Sequence, residues 1–394
     1  MTPSPPPSRR ILFVDHAAVL GGAELSLLDI AAAFHDKGAV ALFEDGPFVG
    51  ALAAKGVTVI QIRAGRALRN VKKTSRVPSP SAIAATSRAA FDLANVARQF
   101  DVIYANSPKS FLVSAAAGLL AHRAVIWHLR DILDRGHFSG ANVRVMVAAA
   151  NRRAACVVAN SHATADAFVA AGGRRDLVRV VHNGIDPQPF DVVAPGARAA
   201  VRAELGVDAD AFVVGSFSRL HAWKGQRILL DAVAAMADVQ VILAGGALFS
   251  GEAEYEEELR AMAATPPLAG RVHILGARND VPRLMSACDV VAHTSVLPEP
   301  FGRVLVEALL AKRALVASDA GGVREIVEDG VTAILTPPGD ATRLAQALLL
   351  LRDPALRARL AATGSGDVRR RFTRDAMLAG VRAAIAEVSV RPRT

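Results

Sequence analysis

A chain of 394 residues exceeds what one hydrophobic core usually organises, so two domains of similar size are expected. Hydrophobic residues make up 52% and aromatics only 5%, which supplies an ample aliphatic core; the best uncharged apolar run, 111–121, is far too short to cross a bilayer, excluding an integral membrane protein. The formal charge of +9 is uneven, because residues 1–185 hold 22 Lys/Arg against 12 Asp/Glu while residues 186–394 hold 24 against 25.

Residues 1–10 are rich in Pro and Ser and lack an apolar stretch before a cleavage site, so they read as a disordered tail and not a signal peptide. Short β-branched runs then alternate with alanine-rich helical stretches. Strands are predicted at 11–15, 40–44, 57–62, 102–104, 124–128, 157–159 and 178–182, and again at 212–216, 239–244, 272–275, 290–293, 315–317 and 332–335. Repeated β-α alternation of this kind argues for two parallel-sheet α/β domains with helices on both faces. Pro187, Pro189 and Pro195 interrupt both patterns, which predicts an N-terminal domain over 11–185, a linker over 186–210 and a C-terminal domain over 211–372. A last segment, 373–394, opens with a helix. Cys156 and Cys288 each fall in a predicted buried strand of a different domain, which fits packing in a reducing, cytoplasmic compartment better than a disulfide.

The first turn, from His16 to Glu24, follows a buried strand and opens a helix. Gly21 and Gly22 there allow positive φ and close approach of backbone to a ligand. They do not make the G-x-G-x-x-G fingerprint, which counts against a nicotinamide dehydrogenase. Between Arg63 and Arg76 lies a basic segment, with Arg66, Arg69, Lys72 and Lys73, suited to anionic lipid head groups or a diphosphate-linked acceptor. It lacks interleaved aromatics, which argues against nucleic acid. Trp127-His128-Leu129-Arg130-Asp131 stands at a strand end and aims His128 at a cleft; Asp131 could fix the His128 tautomer, or Arg130 and Asp131 could pair. Gly184, in Asn183-Gly184-Ile185-Asp186, suits a hinge, and Asp208-Ala209-Asp210 reads as a turn, since no other metal ligand lies near it in sequence.

After the first strand of the second domain, Arg219 and Lys224 lie five residues apart on one loop and can clamp a diphosphate, stabilising the charge that develops on it as a bond to it breaks, without a metal. The segment from Glu299 to Glu307 carries the most information. Pro300 and Gly302 keep Glu299 out of regular helix, while 304–311 reads as a buried helix that takes Glu307 about a turn and a half inside. Both carboxylates can then face one crevice at a helix N-terminus, whose unpaired N–H groups suit a diphosphate and whose deeper carboxylate can accept from ribose hydroxyls. No P-loop, H-E-x-x-H or G-x-S-x-G sequence is present.

These motifs together resemble the retaining glycosyltransferases of two-domain GT-B architecture that carry a Glu-x7-Glu motif, often called family 4. The resemblance runs from Ile11 to about Glu387 and is strongest from Val214 to Pro338. It implies two Rossmann-like doubly wound parallel-sheet domains, with the last helix returning to the first. It also implies roles: Glu299 on the donor sugar, Glu307 on the nucleotide ribose, and Arg219 and Lys224 on the donor phosphates, with the backbone at Phe301, Gly302, Arg303 and Val304 beside them. Gly21 and Gly22 would face phosphates and acceptor, His128 the sugar's primary hydroxyl, and Arg278 the base. The reaction so implied moves a hexosyl unit, mannose or glucose, from a nucleotide diphosphate sugar to a hydroxyl, with retention and without cofactor or metal. A lipid-linked or cell-envelope saccharide is the expected acceptor, and the basic N-terminal half offers peripheral contact with anionic membrane. Two alternatives stay open: an inactive nucleotide-sugar-binding module, and a nucleotide-sugar hydrolase or epimerase of related fold.

Overall fold

The computed structural model describes residues 9–62, 80–247 and 251–388; the basic segment 63–76 and nearly all of the expected tail lie outside them. The chain divides into two compact units, residues 1–184 with 374–394, and residues 185–373.

In the first unit the strands are β1 Ile11–Asp15, β2 Gly38–Leu42, β3 Thr58–Gln61, β4 Val102–Ala105, β5 Ala124–Leu129, β6 Ala154–Ala159 and β7 Val178–Val180. They form one sheet in the order β3-β2-β1-β4-β5-β6-β7 with every neighbouring pair parallel. Side-chain alternation on β1 feeds two cores. Leu12 and Val14 pack with Leu93, Phe111 and Met146 of the helices Pro80–Ala97, Pro108–Ala121 and Gly140–Arg153. Ile11 and Phe13 pack on the other face with Leu27 and Ile30 of helix Gly22–Ala32, and with Met377, Val381 and Ile385 of the terminal helix Arg374–Glu387. A sheet covered on both faces needs near-continuous apolar strands: Ile11, Leu12, Phe13 and Val14 of β1 are all buried, and only Asp15 at its carboxyl end is polar.

The second unit repeats the plan with β8 Phe212–Phe217, β9 Val239–Ala244, β10 Val272–Ile274, β11 Val290–His293, β12 Ala314–Ser318 and β13 Ile334–Thr336, ordered β10-β9-β8-β11-β12-β13 and all parallel. Both sheets are therefore doubly wound, Rossmann-like layers whose order reverses once, between β1 and β4 in the first and between β8 and β11 in the second. Ligands of such sheets bind outside the carboxyl ends of the strands at that reversal.

Three expectations are corrected. The segment 186–210 is not bare linker: it carries the helices Gln188–Asp191 and Ala197–Glu204, and Val201 and Val207 join the second core. Cys288 is not in a strand; it ends the helix Val281–Ala287 two residues before β11, its thiol donating weakly to the Leu284 carbonyl. Residues 332 and 333 belong to a turn, because the Thr332 hydroxyl accepts from the Glu328 N–H at 2.8 Å and Asp329 bridges to Ala333, so β13 begins at Ile334. Cys156, by contrast, is buried in β6. Burial pushes the Cys156 thiol up to about 11 and the Cys288 thiol up to about 12, which keeps both unreactive. Among the described residues no helix is long and apolar enough to cross a membrane.

Candidate active site

The loop after β8 is built to hold Lys224. His221 starts a 3-10 turn, Ala222–Lys224, by accepting the Trp223 N–H on its ring Nδ1 at 3.2 Å. Gly225 ends it at φ 68°, where a Cβ would lie 2.0 Å from the Thr294 carbonyl oxygen, so this position requires glycine on both counts. The loop is stitched to the end of β11: Thr294 Oγ1 donates to the Lys224 carbonyl at 3.0 Å and the Val296 N–H donates to the Trp223 carbonyl at 2.8 Å. Lys224 Nζ stands 3.9 Å from the centre of the Trp223 ring.

Glu299 receives that ammonium. Lys224 Nζ at 2.7 Å, Ser295 Oγ at 3.0 Å and His293 Nε2 at 3.1 Å all reach its Oε2, whereas among the described residues no donor reaches Oε1. Burial alone would raise this carboxyl; Lys224 and His293 outweigh it and hold the group well below the usual carboxylate range. The backbone is equally fixed. Glu299 forms a parallel bridge with Gly321, and its carbonyl accepts from the Gly322 N–H at 2.8 Å. A Cβ on Gly321, which sits at φ 68°, would lie 2.3 Å from the Glu299 carbonyl oxygen, so the Gly-Gly turn after β12 exists to let this loop lie flat against it.

The helix Arg303–Leu310 follows directly, with Gly302 at its N-cap and Phe301 buried against Phe372 with ring centres 5.6 Å apart. Glu307, a little over one turn in, lies 3.6 Å from the Arg303 Nε. Burial raises its carboxyl in spite of that guanidinium. Val304 lines a small hollow with Ser216, Ser218, Lys224 and His293, which places the hollow at the β8/β11 reversal. The structure thus brings Lys224, Glu299 and Val304 together at one sheet edge, with Glu307 and Arg303 on the adjoining helix.

Two of the expected cations carry acidic neighbours. Arg219 pairs through Nη1 with the buried Glu252, which precedes the helix Ala253–Ala263. Arg278 makes a two-pronged bond to Asp280 at 2.8 Å, with Glu204 at 3.6 Å.

In the first unit, Gly21 precedes helix Gly22–Ala32 in extended conformation at φ −95°, and neither it nor Gly22 has the positive φ that the sequence suggested. What Gly21 permits is closeness: a Cβ there would stand 2.7 Å from a carboxylate oxygen of the buried Glu24. His128 is fully buried in β5 and does not lie on an open surface. Its Nδ1 is 2.6 Å from the Tyr104 hydroxyl and accepts from Arg130 Nη2 at 3.1 Å, so Arg130 sets the tautomer. That leaves the proton on Nε2, a buried donor with no partner among the described residues. Burial and then Arg130 hold the ring's pKa well below its ordinary value, so it is neutral at pH 7.

Sequence reasoning passed over His293 and Ser295. A histidine at the end of an apolar strand looks like core, and the only signal was its place six residues before Glu299 at a carboxyl edge. It also passed over His16, Asn106 and Asn183 as site groups, although Arg130 donates to Asn106 Oδ1 at 2.8 Å and to Asn183 Oδ1 at 2.7 Å.

Comparison with known proteins gives a consistent picture. The family described as "Glycosyl transferases group 1" matches residues 197–366, and "Glycosyl transferase 4-like domain" matches residues 21–184. Alr3699/HepE of Anabaena, solved in complex with UDP-glucose, is 40% identical over 96% of this chain and 99% of its own, with a TM-score of 0.87. The D-inositol 3-phosphate glycosyltransferase of Mycolicibacterium vanbaalenii is 37% identical over 53% of this chain and 48% of its own length, so the chain spans about half of that relative. Sucrose-phosphate synthase of Thermosynechococcus elongatus shares the fold at 20% identity, covering 96% of this chain and 98% of its own with a TM-score of 0.78. The two-sheet architecture is GT-B.

Proposed function

Because this chain belongs to the group 1 glycosyl transferases, we propose that it moves a hexosyl unit from a nucleotide diphosphate sugar to a hydroxyl of a lipid-linked or cell-envelope saccharide, with retention at the anomeric carbon. The observation that carries this reading is the convergence of Lys224, His293 and Ser295 on one oxygen of Glu299, with the other oxygen open, beside the N-terminus of helix Arg303–Leu310. In this reading Glu299 Oε1 accepts from a sugar hydroxyl and Lys224 shares its ammonium with the departing diphosphate. Arg219 adds a second cation, the positive dipole end of helix Arg303–Leu310 a third source of positive field, and Glu307 accepts from the ribose. Those groups supply the positive charge the leaving group needs, so the reading assigns no metal. Gly21 and Gly22 border phosphates and acceptor, His128 donates from Nε2 to the sugar's primary hydroxyl, and the backbone at Arg278 borders the base. With Glu307 engaged by ribose, a double displacement has no second carboxylate, and same-face substitution assisted by the leaving phosphate follows. The UDP-glucose bound to the Anabaena relative makes that donor the first choice and GDP-mannose the second. The positive balance of residues 1–185 supports an anionic or membrane-associated acceptor reached from the cytoplasmic face.

The test is product analysis with UDP-glucose or GDP-mannose, with and without saccharide acceptors, reading nucleotide release and anomeric configuration by NMR. Acceptor-dependent release with a retained anomeric centre is expected. Equal release without acceptor would make the protein a hydrolase, and intact donor throughout would make it a binding module.

Glu307 gives a pH dependence. Its folded-state carboxyl is raised, so it takes up a proton above the ordinary glutamate range and then loses an acceptor for ribose hydroxyls. UDP affinity should therefore begin to weaken, as pH falls, above the ordinary glutamate range, and Glu307→Gln should bind more weakly at pH 7 with a flatter pH profile. Calorimetric titrations at several pH values check this; parallel profiles for the two proteins would remove Glu307 from the site.

A further inference from the structure

The carboxyl edge of the first sheet carries a second constellation. β1 ends at Asp15 and β4 at Ala105, and these neighbours mark the reversal of strand order: the helix after β1 packs into one core and the helix after β4 into the opposite one. Such a reversal opens a crevice.

At its floor Asp15 is fully buried. Its Oδ2 accepts from Asn106 Nδ2 at 2.6 Å; its Oδ1 accepts from the His16 backbone N–H at 2.7 Å and lies 3.2 Å from His16 Nδ1. That same ring nitrogen is 2.8 Å from Ser107 Oγ, the N-cap of helix Pro108–Ala121. Asn106 is held in turn by Arg130 and by its bond to the Ala23 carbonyl at 3.3 Å, just inside the helix that Gly21 caps. Burial works against an ionised Asp15, but the hydrogen bonds from His16 and Asn106 prevail and its carboxyl lies below the ordinary value. A carboxylate facing Nδ1 keeps the proton on Nδ1. The lone pair is then on Nε2, which no described residue bonds, on a side chain that retains 23% of its exposure while Asp15 retains none.

Resting on the transferase reading above, we propose that His16, oriented by Asp15 and Ser107, is a hydroxyl-binding residue for the acceptor, its Nε2 accepting a hydrogen bond from an alcohol group of a saccharide or polyol. The tautomer set by Asp15 fits an alcohol and not an anion: a lone pair on Nε2 accepts from O–H and repels phosphate oxygens. No proton is transferred to the ring. Asp15 acts through His16 and is a positioning residue. Arg130, by holding both Asn106 and the His128 ring, ties this hydroxyl site to the donor at His128 Nε2 within one buried network.

The experiment uses the full chain, with UDP and octyl β-D-glucoside as probes. Long-range 1H–15N spectra of the imidazoles, assigned with His16→Ala, read the tautomer; octyl glucoside is titrated with and without UDP. The His16 ring is expected as the Nδ1–H tautomer, with its Nε2 resonance moving on glucoside addition. The glucoside Kd should rise about tenfold or more in His16→Ala, be partly restored in His16→Gln, which keeps an acceptor oxygen, and rise in Asp15→Asn, whose amide can donate to Nδ1. UDP affinity should be unchanged in His16→Ala. An Nε2–H tautomer, absence of glucoside binding to the wild type, or equal glucoside affinity in wild type and His16→Ala would each overturn the proposal. Failure of UDP to bind the wild type would instead contradict the donor reading, and the tautomer and UDP-free titrations would still decide the role of His16.

Discussion

Glu299→Gln is expected to lower kcat for transfer by about 10²–10³-fold at saturating donor, the size of effect seen when one preorganised electrostatic group is removed from a transition state. The change keeps the shape of the side chain and an acceptor oxygen for Ser295 and His293, but it takes away the charge that holds Lys224 Nζ at 2.7 Å. Lys224→Ala is expected to do as much, by removing the cation proposed to meet the leaving phosphate. Both variants also leave a buried partner alone, and breaking a buried ion pair from one side costs about 3–5 kcal/mol. Lost activity could then be mistaken for lost structure. The double variant Lys224→Met, Glu299→Gln separates the two, since it leaves no orphaned charge: it should regain most of the thermal stability and none of the activity. Wild-type kcat in Glu299→Gln would remove Glu299 from the reaction. The pH profile adds a check. Glu299 is held well below the usual range, so its favourable contribution to stability is complete above the ordinary glutamate pKa and is lost only as pH falls towards its folded value. Titration of Glu299 should therefore not shape transfer between pH 5 and 8; Glu307, whose carboxyl is raised, is the member of the pair expected to take up a proton first as pH falls.

The largest stability effect is expected at Arg202, far from that chemistry. It projects from the helix Ala197–Glu204 and is 3% exposed. Its Nη1 donates to the carbonyls of Asp208 at 3.1 Å, Ala209 at 2.6 Å and Ala211 at 2.9 Å. Nε and Nη2 both donate to the Ala287 carbonyl, at the end of the helix Val281–Ala287, and Nη2 also reaches Asp289 Oδ2 at 2.9 Å. Only a planar fork of donors does this; a lysine ammonium does not. Arg202→Ala should cost about 3–5 kcal/mol, because four carbonyls lose a buried donor and Asp289 loses one of its two guanidinium partners. For a unit of this size that lowers Tm by roughly 6–20 °C. Arg202→Lys should recover little. Calorimetry reads both, and a loss under about 1 kcal/mol in Arg202→Ala would show that the cluster is ornamental.

Arg202 also shows where reading the sequence stops. Three prolines made 186–210 look like a break in pattern, and Asp208-Ala209-Asp210 was correctly read as a turn, but the residue that pins the turn to the second core is a single arginine on a short helix with no distinctive neighbours. The doubly wound plan itself was legible, since a parallel sheet covered on both faces requires continuous apolar strands, and those are visible at 11–15, 212–216 and 239–244. Strand ends were less so, because they depend on neighbouring strands and on turns such as Glu328 to Ala333.

At the candidate site the legible part was what one loop contributes. Pro300 and Gly302 force Glu299 and Glu307 onto different elements, and the spacing of Arg219 and Lys224 is local. Pairings across loops were not legible: Lys224 meets Glu299 from 75 residues away, and Glu252 reaches Arg219 from 33. His293 and His16 look alike as strand-end histidines until the carboxylate beside each is seen. The glycines at 21 and 22 were read for conformational freedom, whereas Gly225 and Gly321 are the positions whose φ and contacts demand it.

The hollow between the ends of β8 and β11 is the proposed seat of the nucleotide diphosphate sugar. The most direct measurement is a thermal-shift titration of the full chain with UDP-glucose, GDP-mannose and the free nucleotides, with Arg219→Ala and Glu307→Ala as controls. A donor present at about 100 times its Kd stabilises the native state by roughly 2.7 kcal/mol. A clear upward shift with one donor, strongly reduced in both variants, is the predicted result; a shift of equal size in wild type and variants, or none with any donor, would contradict it.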